Sequence, residues 1–303
     1  MKNTINLTGK LAGKFKLEAI RPDGSVRLLA NWFGNLILDA GLERIGNGNY
    51  LTTCAVGSGT TAPANGNTAL QALIASTTSI TSNTYGAQGS APYYGWRVIT
   101  YQFATGVAAG NLSEVGVGWG ASTMFSRALI LDGLGDPTTI TVLSDEILQV
   151  TYQLNIYPPL SDAAFSVTIS GTAYTGNVRA CQVTNSVLWG YSLGSVASFL
   201  NTVLSSGYNW LYNGSIGADI TASPSGTSAQ ASATNTNAYS SSSHAITGGI
   251  TCDITTANLA GGISAGRIAS SVGTYQFNIS PPLAKGNTKT LALNFSVSWA
   301  RHA

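Results

Sequence analysis

From Ile147 to Tyr157 the sequence places Leu148, Val150, Tyr152, Leu154 and Ile156 in alternation with Gln149, Thr151, Gln153 and Asn155, and then meets Pro158-Pro159. A period of two is the period of a pleated strand with one face in a core, and an α-helix would scatter these side chains around its circumference. Proline cannot donate to a ladder, so the pair should stop the strand. Leu291, Leu293, Phe295, Val297 and Trp299 repeat the pattern near the other end of the chain. Phe15, Leu17 and Ala19 alternate with Lys16 and Glu18, and after Arg21-Pro22-Asp23-Gly24 the pattern resumes at Val26, Leu28 and Ala30. That is a strand, a turn and a returning strand.

Further strands are expected at residues 52–56, 97–103, 113–119, 125–131, 138–143 and 165–169. The apolar segment 35–42 should be buried. Two segments carry helical spacing instead: residues 67–75, after a capping Asn67 or Thr68, and the face formed by Val196, Phe199, Leu200, Val203 and Leu204. The expected class is all-β, with β-sandwich or jelly-roll-like domains and one or two short helices. The Pro-Pro corner also recurs, because Tyr152-Gln-Leu-Asn-Ile-Tyr-Pro-Pro-Leu160 reappears as Tyr275-Gln-Phe-Asn-Ile-Ser-Pro-Pro-Leu283, each followed by an alternating strand. The repeat suggests two β domains of related design, residues 1–160 and 161–303, the second with a Ser/Thr-rich loop at about 223–243 that forms an extended loop or a polar strand pair.

Composition narrows the function. Charged residues are 9% of the 303, against about a quarter in ordinary soluble domains. Glycines, hydroxyls and amides must therefore cover the surface, as in proteins that spend their lives assembled. A net charge of +2 without a basic, aromatic-interleaved run argues against nucleic acid. Residues 180–266 carry only Asp219 and Asp253 as charges, but polar residues, glycine and proline break every apolar window, so no membrane insertion is expected. The first residues lack the pattern of a secretory signal, which suits synthesis in a cytosol. Cys54, Cys181 and Cys252 are spaced for neither a disulfide framework nor a metal site and read as small buried apolar residues.

Catalytic groups are sparse. His244 lies in a serine-rich stretch and His302 beside the end of the chain, poor places for a rigidly oriented base. Asp132 with Asp136, Asp145-Glu146, and Asp162 are the carboxylates that could cleave a glycosidic bond, and turn or strand-end carboxylates are the simpler reading. Gly57-Ser58-Gly59 and Gly116-Val117-Gly118 lack the spacing of a phosphate loop. The chain is read as no enzyme, with no catalytic residue, cofactor or metal. Aromatic groups remain: Tyr208, Trp210 and Tyr212 on one strand face, and Tyr93, Tyr94 and Trp96 in a second cluster. Both suit a subunit interface or a sugar contact.

Five segments in fixed order resemble bacteriophage virion proteins of the tail-fibre, tail-collar and minor structural kind. They are Trp32-Phe-Gly-Asn-Leu-Ile-Leu-Asp-Ala-Gly-Leu42, Val56-Gly-Ser-Gly-Thr-Thr-Ala-Pro63 with Thr68-Ala-Leu70, Asn111-Leu-Ser-Glu-Val-Gly-Val-Gly118, Phe125-Ser-Arg-Ala-Leu-Ile130, and Asp145-Glu-Ile-Leu-Gln-Val-Thr-Tyr152. They span about residues 20–160. The resemblance implies a virion location, a β-sandwich and a multimer. The expected function is a tail-fibre or collar-fibre subunit, a homo-oligomer and most simply a trimer, made in the host bacterial cytoplasm and touching proteins of the tail, collar or portal region. The alternatives are a host-receptor or glycan-binding tip, a head decoration protein and, less favoured, a polysaccharide-degrading spike. Lys2, Lys10, Lys14, Lys16, Arg21 and Arg27, six of the 14 basic residues, crowd the start of the chain. Lys10, Lys14 and Lys16 are therefore candidates for docking on an acidic virion surface.

Overall fold

The computed structural model describes residues 4–190 and 208–302. Its first strands are β1 (Ile5–Ile20), β2 (Val26–Gly34), β3 (Leu36–Ile37), β4 (Thr53–Gly57), β5 (Leu73–Thr77), β6 (Ile80–Ala87) and β7 (Gly95–Gln102). There follow β8 (Gly110–Leu112), β9 (Glu114–Gly120), β10 (Thr123–Leu129), β11 (Ile140–Val142), β12 (Ile147–Tyr157), β13 (Ala163–Ile169) and β14 (Thr172–Ala180). The last are β15 (Trp210–Tyr212), β16 (Ser228–Gln230), β17 (Ala233–Thr236), β18 (Ala245–Cys252), β19 (Ile263–Ser270), β20 (Gly273–Leu283) and β21 (Leu291–Arg301). Two short helices, α1 (Asp39–Ile45) and α2 (Ser186–Trp189), interrupt them. The chain is all-β and sandwich-like.

An eight-stranded sheet in the order β17-β18-β21-β1-β12-β7-β6, with β2 also paired to β1, is the spine. The five apolar positions of β12 and the five of β21 all point into the core. Two other sheets pack on that face. The five-stranded sheet β3-β10-β9-β4-β5 meets it where Tyr152 Oη accepts from Asn35 Nδ2 (3.2 Å) and Ser126 Oγ (3.3 Å), and where Tyr101 Oη donates to the Leu51 carbonyl (2.7 Å). Burial pushes the Tyr152 phenol up to about 12, so it serves as a neutral, satisfied core group. The six-stranded sheet β13-β14-β20-β19-β15-β16 meets the spine through Phe277 on Phe295, with ring centroids 5.9 Å apart, and through Tyr275 Oη donating to the Thr8 carbonyl (2.7 Å).

The repeated segments occupy different sheets and exchange them. β12 lies in the spine and its successor β13 in the six-stranded sheet, whereas β20 lies in the six-stranded sheet and its successor β21 in the spine. Residue 160 does fall in the connection from β12 to β13, yet the spine is not divided there. β21 runs parallel to β1 with Ile5 opposite Phe295 and Leu11 opposite Arg301, and one buried cluster extends through both halves. Alternation reveals which face of a strand is buried but not which strand lies beside it. The second Pro-Pro also departs from expectation. Tyr157 ends β12, but β20 continues through Pro281 and Pro282 to Leu283, because the register shift between Ile263 and Ala265 accommodates residues that cannot donate.

Both helices lie away from the expected ones. Residues 67–72 form a loop and 73–75 the start of β5, for a reason given below, and residues 196–204 lie outside the described residues. The helix α1 begins inside the apolar 35–42 segment, with Asp39 in its first turn and Arg44 in its last, and ends at Gly46. Gly41 is required there because a Cβ would sit 2.1 Å from the Phe125 carbonyl oxygen. The hydroxyl-rich 223–243 stretch supplies two edge strands to different sheets, β16 beside β15 and β17 beside β18, and they are not paired with each other.

Candidate functional site

Residues 56–63, 111–118 and 125–130, together with the 67–72 loop, meet around one buried carboxylate. Glu114, fully buried at the start of β9, accepts from the backbone N–H groups of Gly59 (3.1 Å), Gln71 (3.0 Å) and Ala72 (2.7 Å) and from Arg127 Nε (2.8 Å). Arg127 then donates Nη1 to Asn67 Oδ1 (2.9 Å) and Nη2 to the Thr61 carbonyl (2.8 Å). Every polar arm of the pair is engaged, so the loop 58–72 is tied to β9 and β10. This arrangement overrides the helical spacing of 67–75: the N–H groups of Gln71 and Ala72 bind the carboxylate, and β5 pairs with β4.

A second brace joins Glu146, before β12, to Arg27 of β2 through Nε (3.1 Å) and Nη2 (2.7 Å), with the Leu143 N–H at 3.0 Å. The Arg27 hydrogen bond, more than any other contact, holds this carboxyl below its ordinary value of 4.5. Because the folded value is the lower one, the brace stabilises fully above about pH 4.5 and its contribution fades as pH falls through the depressed value. Urea midpoints measured between about pH 5 and pH 2 should fall more steeply for the native chain than for Arg27→Met, which should also be less stable at neutral pH. Parallel acid limbs would contradict this role.

The other candidate carboxylates act in local structure. Asp132 Oδ1 caps its own turn from the N–H groups of Leu134 (2.8 Å) and Asp136 (3.0 Å), which lowers its pKa. Asp145 is exposed, and Asp162 pairs with Arg179 at 2.5 Å. His244 Nε2 is 3.8 Å from Glu43, whose carboxylate accepts from Tyr239 Oη and the Ser242 N–H. All three cysteines are free and buried, and burial raises each thiol.

Two groups of sequence candidates converge at one end of the spine. Lys10 of β1 is opposite Tyr157 in the ladder, the Tyr157 ring is 5.5 Å from Tyr94 and 3.8 Å from His302, and Trp96 is opposite Asn155 on the next strand. Tyr157, His302, Lys10, Thr8 and the Pro158-Pro159 corner enclose a cleft of about 340 Å³. Tyr93 packs half-buried against the core. Of the docking lysines, Lys16 is paired with Glu18 at 2.8 Å and Lys14 lies 4.8 Å over the Trp32 ring, whereas Lys10 opens on the cleft. Sequence reasoning missed Tyr157 and His302, whose proximity depends on β21 returning beside β1.

Tyr208, Trp210 and Tyr212 lie far along the six-stranded sheet. The opposite face carries the buried Asn209 and Leu211, so the rings occupy the outer face, with Tyr208 41% exposed, Trp210 half-buried and Tyr212 only 8% exposed.

The ends of the sheets are unusual in their chemistry. Among the described residues β6 and β17 end the path of the spine, β3 and β5 the five-stranded sheet, and β13 and β16 the six-stranded sheet, while β2, paired only with β1, is a further edge and carries Arg27. The six path-ending strands differ from it. None of these strands contains Lys, Arg, Asp or Glu. β6 is exposed from Ile80 to Tyr85, and Leu73 and Ile74 are exposed on neighbouring β5. No protein family, curated protein or solved structure matches the chain.

Proposed function

We propose that this chain is a non-catalytic structural subunit of a bacteriophage particle, a tail-fibre or collar-fibre component that works as a homo-oligomer, with a trimer as the favoured state. The observation that carries the assembly is the absence of charge on the six strands that end the paths of the three larger sheets, β2 alone among the described edges carrying an arginine, which Glu146 holds. Monomeric β proteins protect such edges with lysines, inward charges or prolines, since an open edge is a template for another strand. Here Ile80–Ala87 offers six exposed, uncharged residues, Ile80 to Tyr85, at the end of the spine. The virion location rests on the five segments in fixed order, three of which supply the Glu114 brace and a fourth Glu146. Synthesis in the host cytoplasm and contacts with tail, collar or portal proteins belong to the same reading. A second reading, contact with a host surface glycan, is favoured by the cleft between Tyr157, His302 and Lys10, where flat rings stand beside hydrogen-bonding groups.

Light scattering tests the assembly. The native chain should be oligomeric at micromolar concentration, and the double variant Ser82→Lys/Thr84→Lys should be a monomer with an intact β-sheet spectrum, since both positions are exposed. A monomeric native chain would overturn the proposal.

A further inference from the structure

Beyond Lys16 the sequence contains only two lysines, Lys285 and Lys289, and both line the same cleft. It lies between the turn that precedes β19 and the connection from β20 to β21, with Leu259, Gly261, Gly262, Gly286 and Thr288 as its other principal walls and a volume of about 520 Å³. Lys285 is only 8% exposed. Its ammonium has three donors, of which one is satisfied by Asn258 Oδ1 at 2.9 Å, and among the described residues no carboxylate lies within ion-pair distance. Asp253 opposes Lys285 at the Cys252 thiol, raising it where the lysine lowers it, but its Oδ1 accepts from the N–H and hydroxyl groups of Thr255 and Thr256 and it makes no ion pair with the lysine. A largely covered ammonium that faces a cleft with one neutral amide as its hydrogen-bond partner and no ion pair is favourably placed to hold an anion. The glycines leave the lip free of side chains, so a ligand can approach the backbone closely.

We infer that this cleft binds a compact oxyanion, a carboxylate or phosphate group, held by Lys285 at its base and Lys289 at its rim. The site is separate from the Tyr157 cleft and does not depend on the assembly state. Calorimetry with sodium phosphate and with sodium glucuronate, each against sodium chloride at matched ionic strength, tests it on the full chain. Saturable binding is expected with at least one probe. The stronger probe identifies the source chemistry, phosphoryl for phosphate or acidic-sugar carboxylate for glucuronate. Lys285→Met should abolish binding, and if that variant does not fold, the exposed Lys289→Ala should weaken it by about fivefold while melting as the native chain does. Failure of both probes to bind, or equal affinity in the native chain and Lys289→Ala, would overturn the assignment.

Discussion

Arg127→Met is expected to lower stability by about 3–5 kcal/mol, the usual cost of leaving one member of a buried ion pair alone. The size follows from the surroundings of Glu114. Without the guanidinium its carboxylate keeps three backbone donors but loses its ionic partner, the Thr61 carbonyl loses the Nη2 donor, and Asn67 Oδ1 keeps only the Ala64 N–H. Against a total of about 5–15 kcal/mol for a typical domain, this brings the chain close to unfolding at ordinary temperature. Glu114→Gln should be comparably costly, because its amide oxygen can still accept from Gly59 and Ala72 but its NH2 would face the Gln71 N–H and Arg127 Nε donors and the buried guanidinium would lose its counter-charge. The double variant should then be more stable than the sum of the single losses implies. Urea midpoints for the three variants check this. Simple additivity would mean that Glu114 and Arg127 brace the loop independently, against the geometry of a shared contact.

The same pair illustrates what the sequence can and cannot reveal. Strand faces were legible because burial on one side of a pleat leaves a period of two: all five apolar positions of β12 and of β21 are buried where alternation places them. The 67–75 segment was misleading because Leu70, Leu73 and Ile74 have helical spacing, while the deciding interaction comes from a glutamate more than 40 residues away. Leu73 and Ile74 prove to be exposed edge residues. Tyr94 and Lys10 could each be singled out as a candidate, but the cleft that Lys10 lines beside Tyr157 could not, since Tyr157 meets His302 only through the pairing of β21 with β1. The charge-free edges were equally hidden. Low charge is visible in composition, whereas its concentration at sheet ends requires the strand order.

Residues 1–160 expressed alone are expected not to fold, and deletion of β21 from the full chain is expected to have the same consequence. In the intact protein β1 is held between β12 and β21, and β21 between β1 and β18. Removing β21 strips the core of Leu291, Leu293, Phe295, Val297 and Trp299, all at most 6% exposed, and leaves β1 and β18 each without the partner on one side. At about 1.5–3 kcal/mol for each large apolar side chain, the lost burial is on the order of 10 kcal/mol, comparable with the whole stability of a domain. Trp299 is also an anchor, since its Nε1 donates to the Leu42 carbonyl at 2.8 Å and its ring stacks on Tyr239, so the end of the chain fixes α1 in the first half. The 1–160 fragment should therefore be insoluble, or soluble with low ellipticity dispersion and no cooperative melt. Mixing it with separately made 161–303 should restore a cooperative transition if both pieces are refolded together, because the missing interface is supplied in trans. A 1–160 fragment that is soluble and melts cooperatively by itself would show that the spine does not need its final strand, and would restore the boundary near residue 160 as a true division between independent domains.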